Sequence, residues 1–103
     1  MSTRSRIGLK LEDGTVKSVY CHSDGYPDGV GKYLERMTSI KVIDDYLEEG
    51  DRTTADMSYK EWRNEDCPAQ ISINEKIYFS ENWGVSYVYL FSDGKWVHQR
   101  GQY

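Results

Sequence analysis

An Asp-Gly dipeptide occurs twice in this 103-residue chain, at Asp13-Gly14 and Asp93-Gly94, each time between stretches where apolar and polar residues alternate. Asp-Gly favours the positive φ angles of a tight hairpin turn. Period-two alternation marks a strand with one buried face. Before the first turn, Ile7, Leu9 and Leu11 share one face, with Arg6, Gly8 and Lys10 on the other. After it, Thr15 to Cys21 runs back with apolar residues on both sides. Near the C-terminus Val85, Tyr87, Tyr89 and Phe91 alternate with Val88 and Leu90, and Lys95 to His98 returns from the second Asp-Gly. Both ends of the chain are therefore expected to fold as hairpins.

The middle changes period. Val30, Tyr33, Leu34 and Met37 lie at helical offsets 0, +3, +4 and +7, and Ile40, Ile43, Tyr46 and Leu47, at 0, +3, +6 and +7, also share one helical face. Thr38-Ser39 interrupts the two and can cap the second helix. Gly50 is placed to end it. Residues 51–70 are polar and weakly patterned, but Ser58-Tyr59-Lys60-Glu61 fits a capping box, and a short helix through Trp62 follows from it. Ile71, Ile73, Ile77 and Phe79 bracket Asn74-Glu75, which reads as a turn or a strand continuation. The expected fold is a single α+β domain over 1–103. It has a mainly antiparallel sheet of about five strands and two helices on one face, in the order ββαα then β strands.

Composition narrows the function classes. Nine Tyr and three Trp supply the core volume that 38% hydrophobic content would otherwise leave short. A net charge of −4 argues against a duplex-DNA partner. The 13 Lys and Arg that offset 17 Asp and Glu also argue against a strong DNA mimic. No apolar run approaches the ~20 residues of a membrane span, and no apolar leader follows Met1. Two cysteines, Cys21 and Cys67, do not make a disulfide framework. The expectation is a soluble cytoplasmic protein with reduced thiols and no membrane partner.

Chemistry-bearing residues crowd into Tyr20-Cys21-His22-Ser23-Asp24-Gly25-Tyr26-Pro27-Asp28-Gly29-Val30-Gly31-Lys32, where the second strand ends and the first helix begins. The spacing is not that of a phosphate-binding P-loop, which needs Gly, four residues and then Gly-Lys-Ser/Thr. What remains is a Gly-rich helix entry with a nearby Lys32, able to hold an anion on backbone amides or simply to turn the chain. Cys21 and His22 are neighbours in a strand and point to opposite faces. Cys67 and His98 do not complete any standard zinc spacing. No metal and no cofactor is expected, and no catalytic residue is assigned. Trp83, Tyr87, Tyr89 and Trp96 either pack the core or stack a flat ligand. Tyr87 and Tyr89 are assigned to the core, and Trp83 and Trp96 are kept as binding candidates.

The run Tyr20-Cys21-His22-x-Asp24-Gly25-Tyr26-Pro27-x-Gly29-Val30-Gly31 resembles a group of small bacteriophage-encoded proteins of unassigned function. Ser5-Arg6-Ile7-Gly8 before it and Tyr89-Leu90-Phe91-x-x-Gly94-x-Trp96 near the end are similar too. Several of those proteins carry Trp where this chain has Ser23. The resemblance implies an accessory protein in the cytoplasm of an infected bacterium that binds and redirects a host component, defence systems included.

The expected function is binding of a host protein or a small anionic ligand. The candidate binding residues are His22, Asp24, Tyr26, Asp28, Gly29, Gly31, Lys32, Trp83 and Trp96. Two alternatives stay open. One is a small hydrolase or transferase using His22, Asp24 and Cys21 beside a phosphate held by Gly29, Gly31 and Lys32. The other is a single-stranded nucleic-acid module using exposed aromatics.

Overall fold

The computed structural model describes residues 3–101. The first hairpin is β1 (Ser5–Lys10) and β2 (Val16–Cys21), paired antiparallel from Ser5↔Cys21 to Lys10↔Val16. Its loop is wider than the Asp-Gly pattern predicts. Gly14 has φ +88°, but Asp13 is not among the residues with positive φ. Instead, the Asp13 carboxylate accepts from the amide of Thr15 at 3.0 Å and from its hydroxyl at 2.6 Å. An Asx turn has replaced the two-residue hairpin turn.

A π-helical turn (Pro27–Gly31) runs directly into α1 (Lys32–Leu34), and α2 (Ile40–Glu48) follows. Val30, Leu34 and Met37 are buried as the helical spacing predicts, as are Ile43, Tyr46 and Leu47, but Ile40 stays 61% exposed. Ser39 occupies the N-cap position without a side-chain bond. Gly50 ends the helix at φ +82°.

β3 (Arg52–Thr54) and β4 (Met57–Ser58) lead into α3 (Tyr59–Arg63). Ser58 caps α3 by accepting from the Glu61 amide at 3.1 Å, the bond the capping box predicts. β5 (Gln70–Ser72) precedes α4 (Glu75–Ser80), and β6 (Tyr87–Ser92) pairs with β7 (Lys95–Arg100). At this last hairpin Asp93 and Gly94 both have positive φ, so the tight turn is realised here.

The sheet departs from the expected one. Among the described residues it has seven strands, in the order β4-β3-β2-β1-β6-β7, with β5 also pairing β2. It is mixed, because β1–β6 and β2–β3 are parallel. Four short helices accompany it, on both faces. A helix between two strands returns the chain to the same end of the sheet, so the next strand runs parallel. The stretch from the π-helical turn through α2 does this between β2 and β3, and α4 does it between β5 and β6. The second crossover lies where Ile77 and Phe79 read as strand. Asn74 caps a helix there, accepting from the Ile77 amide at 2.8 Å.

Each face has its own core. Ile7, Leu9, Val19, Cys21, Tyr89 and Phe91 pack against Val30, Leu34, Ile43 and Leu47. On the other face Val16, Val88 and Leu90 pack against Tyr78 of α4. Gly8 permits this second layer. A Cβ there would stand 2.7 Å from the Tyr78 hydroxyl oxygen, so Tyr78 lies where a side chain would otherwise be. No helix among the described residues is long and apolar enough to cross a membrane.

Candidate functional site

The Gly-rich segment is fixed by its own backbone. Asp24 takes φ +57°, and its carbonyl accepts from the Val30 amide at 2.8 Å. The Tyr26 carbonyl accepts from the amides of Gly29 at 2.9 Å and Gly31 at 3.5 Å. The Gly29, Val30 and Gly31 amides are therefore already engaged. An anion at this helix entry does not find the donors that the sequence pattern had offered. A Cβ at Gly29 would stand only 2.4 Å from the Asp24 carbonyl oxygen, so this glycine serves the turn itself. Asp24, Tyr26, Asp28 and Lys32 all carry exposed side chains.

The segment is tied to the sheet at Gly25. Its amide donates to the Thr3 carbonyl at 2.8 Å, and its carbonyl accepts from the Tyr89 hydroxyl at 2.7 Å. Burial pushes the Tyr89 phenol well above its ordinary range, which keeps it a proton donor. Next to this junction a groove of about 360 Å³ opens between the π-helical turn and α1 on one side and the last hairpin on the other. Pro27, Gly31 and Leu34 form the helical wall, and Tyr89, Phe91 and Trp96 form the aromatic wall. Glu35, Lys95 and His98 add charge and polarity to the lining. Trp96 bridges the walls: its indole N–H donates to the Met37 carbonyl at 2.9 Å, and its ring meets Phe91 edge-on at 5.3 Å.

The candidate residues thus divide. Gly31 and Trp96, 65 residues apart in the chain, come together in the groove. Trp83 does not join them. It lies on the opposite face, where its N–H donates to the Tyr78 carbonyl at 2.9 Å and the Arg6 guanidinium stacks on its ring at 4.1 Å. Arg6 is 4% exposed and donates to the Ser18 hydroxyl at 2.9 Å, a structural arrangement. His22 is on that opposite face too, its Nδ1 2.7 Å from the Tyr20 hydroxyl.

Cys21 is fully buried among the groove-side core residues, and burial pushes its thiol up to about 11. The Cys21–His22 pair accordingly lacks the geometry of a nucleophile beside its base. Trp83 and Trp96 lie on opposite faces, so they do not form one stacking platform for a single strand.

Tyr89, which the sequence assigns to the core, His98, weighed there only for zinc, and Phe91, not singled out, are missing from the candidate binding residues. The signal was present in the Asp93-Gly94 turn. A two-residue turn sets Phe91 opposite Trp96 and Tyr89 opposite His98, which is the register found. Among the described residues, no three His, Cys, Asp or Glu side chains group closely enough to hold a metal ion. Comparison with protein-family models, with curated proteins and with solved structures finds no match to this chain.

Proposed function

We propose that this protein is a binding protein of bacteriophage origin. It acts inside the infected bacterium by engaging a host protein, a defence component among the candidates, through the groove between the Gly-rich segment and the last hairpin. The observation that carries the reading is the convergence of Gly31 and Trp96 on one aromatic-lined concavity. Mostly apolar concavities with a few placed polar groups are the common form of a small-molecule site, and the anchor side chains of a protein partner seat in well-packed pockets of the same kind. The resemblance to small phage proteins supports the setting. A protein partner is favoured over a small anion because the Gly29, Val30 and Gly31 amides already have carbonyl partners.

The test is a comparative capture from host lysate with wild type and Gly31→Leu. Gly31 has helical φ and ψ, and a Cβ there meets the Tyr89 ring at 3.5 Å, an ordinary contact. The backbone there accepts a side chain, and a leucine would project its own from the helical wall of the groove. A host protein retained by wild type and lost from the folded variant supports the reading. Retention by both places the binding surface elsewhere.

A further inference from the structure

We infer that the outer edge of β7 is a strand-addition site for an extended acidic segment of a partner protein. This inference rests on the groove being the binding face.

Strand β7 ends the sheet, and among the described residues only β6 pairs with it. Its ladder is regular over all six residues, from Ser92↔Lys95 to Tyr87↔Arg100. The sheet's other margin is different: β4 has two residues, β5 has three, and the β3–β4 register shifts between Arg52 and Thr54. Short and irregular edges resist pairing with another chain, whereas a long regular edge without proline invites it.

Ladder alternation says which groups are offered. Antiparallel partners alternate between pairs that exchange hydrogen bonds and pairs that do not. Lys95 closes the two-residue turn opposite Ser92, and further along the Gly101 amide donates to the Ser86 carbonyl at 2.8 Å. Lys95, Val97, Gln99 and Gly101 therefore bond inward. Trp96, His98 and Arg100 turn their N–H and C=O groups outward. The side chains of Trp96 and His98 line the groove. A strand added at this edge would thus lay its own side chains against the groove mouth. Backbone pairing at a sheet edge with pockets for alternate side chains is an established mode of peptide recognition.

Charge selects the occupant. Residues 94–101 hold Lys95, His98 and Arg100 and no carboxylate, and Glu35 is the one carboxylate in the groove lining, so cations outnumber carboxylates along this edge in a chain of net charge −4. A second copy of this strand would bring like charges together, whereas an acidic segment is complementary.

The experiment uses the whole chain and a synthetic Glu-Val-Glu-Val-Glu-Val-Glu peptide, followed by amide hydrogen exchange and NMR titration. The expected result is new protection at the Trp96, His98 and Arg100 amides. It should disappear when alternate peptide nitrogens are methylated, and a Lys95→Glu, Arg100→Glu variant should bind about tenfold or more weakly. Equal binding of a Lys-Val peptide overturns the acidic preference. Protection of the same amides in concentrated protein without peptide overturns it in favour of a second copy. Shifts confined to Leu34, Phe91 and the Trp96 ring, without amide protection, overturn strand addition but leave the groove reading intact. Failure of the groove reading is recognised separately, by host-protein capture that Gly31→Leu does not change.

Discussion

The Tyr89 hydroxyl donates a 2.7 Å hydrogen bond to the Gly25 carbonyl across 64 residues of chain. This bond joins the Gly-rich segment to the sheet next to the groove. Tyr89→Phe leaves that buried carbonyl without its partner and should lower stability by about 1–3 kcal/mol. Urea unfolding measures the loss. Faster amide exchange over residues 25–31 in the variant checks that the segment, rather than the whole fold, has been released.

Gly29 and Gly31 look alike in sequence and should behave oppositely. An alanine Cβ at Gly29 would stand 2.4 Å from the Asp24 carbonyl oxygen, a backbone atom that cannot swing away. Gly29→Ala should destabilise by about 1–3 kcal/mol. At Gly31 the nearest contact is 3.5 Å and the backbone is helical. Gly31→Ala should be neutral or stabilise by up to about 1 kcal/mol, through helix propensity. Paired thermal melts decide this; equal effects would show that the turn is not built as described.

How much of this was legible in the chain depends on the range of the forces involved. The two hairpins, the buried helix faces and the Ser58 cap follow from contacts within a few residues, and alternation or capping chemistry reveals them. The parallel pairings of β1 with β6 and β2 with β3 depend on which way a connecting helix returns the chain. Ile77 and Phe79 carried the apolar content of a strand, while the cap at Asn74 decided for a helix. The site was half legible for the same reason. Glycines at a helix entry were visible, but not that their amides close on Asp24 and Tyr26. Trp83 and Trp96 were equivalent by composition and are separated by the thickness of the sheet.

That separation gives the third prediction. Trp83→Ala removes the ring on which Arg6 stacks and the N–H bond to Tyr78. It should lower stability by about 2–4 kcal/mol, toward the lower end for aromatic truncation because Trp83 is only partly buried. In the folded variant, capture of the host protein should be unchanged. Trp96→Phe keeps a ring against Phe91 but loses the N–H bond to Met37, and should weaken capture. If Trp83→Ala abolishes capture while Trp96→Phe leaves it intact, the binding face is the opposite one.

The last prediction concerns the buried thiol. Cys21 has no exposed surface, and desolvation raises its thiol from 9.0 to about 11. Cys67 is partly exposed. At pH 8 a thiol reagent should therefore label Cys67 readily and Cys21 only as the protein unfolds. The stability consequence has a definite sign. The unfolded thiol ionises near 9 and the folded one near 11, so the unfolded state loses its proton first. The contribution is fully present below pH 9, falls by at most about 1.4 kcal/mol per pH unit above it, and levels off past the folded value. Tyr46, Tyr78 and Tyr89 are also pushed upward by burial and add a fall of the same sign above about 10. Cys21→Ala isolates the thiol's part. The difference in unfolding free energy between wild type and variant should shrink from pH 8 to pH 10. A difference that stays constant over that interval, or rapid labelling of both cysteines in folded protein, would show that Cys21 is reachable by water and that the core beneath the groove is open.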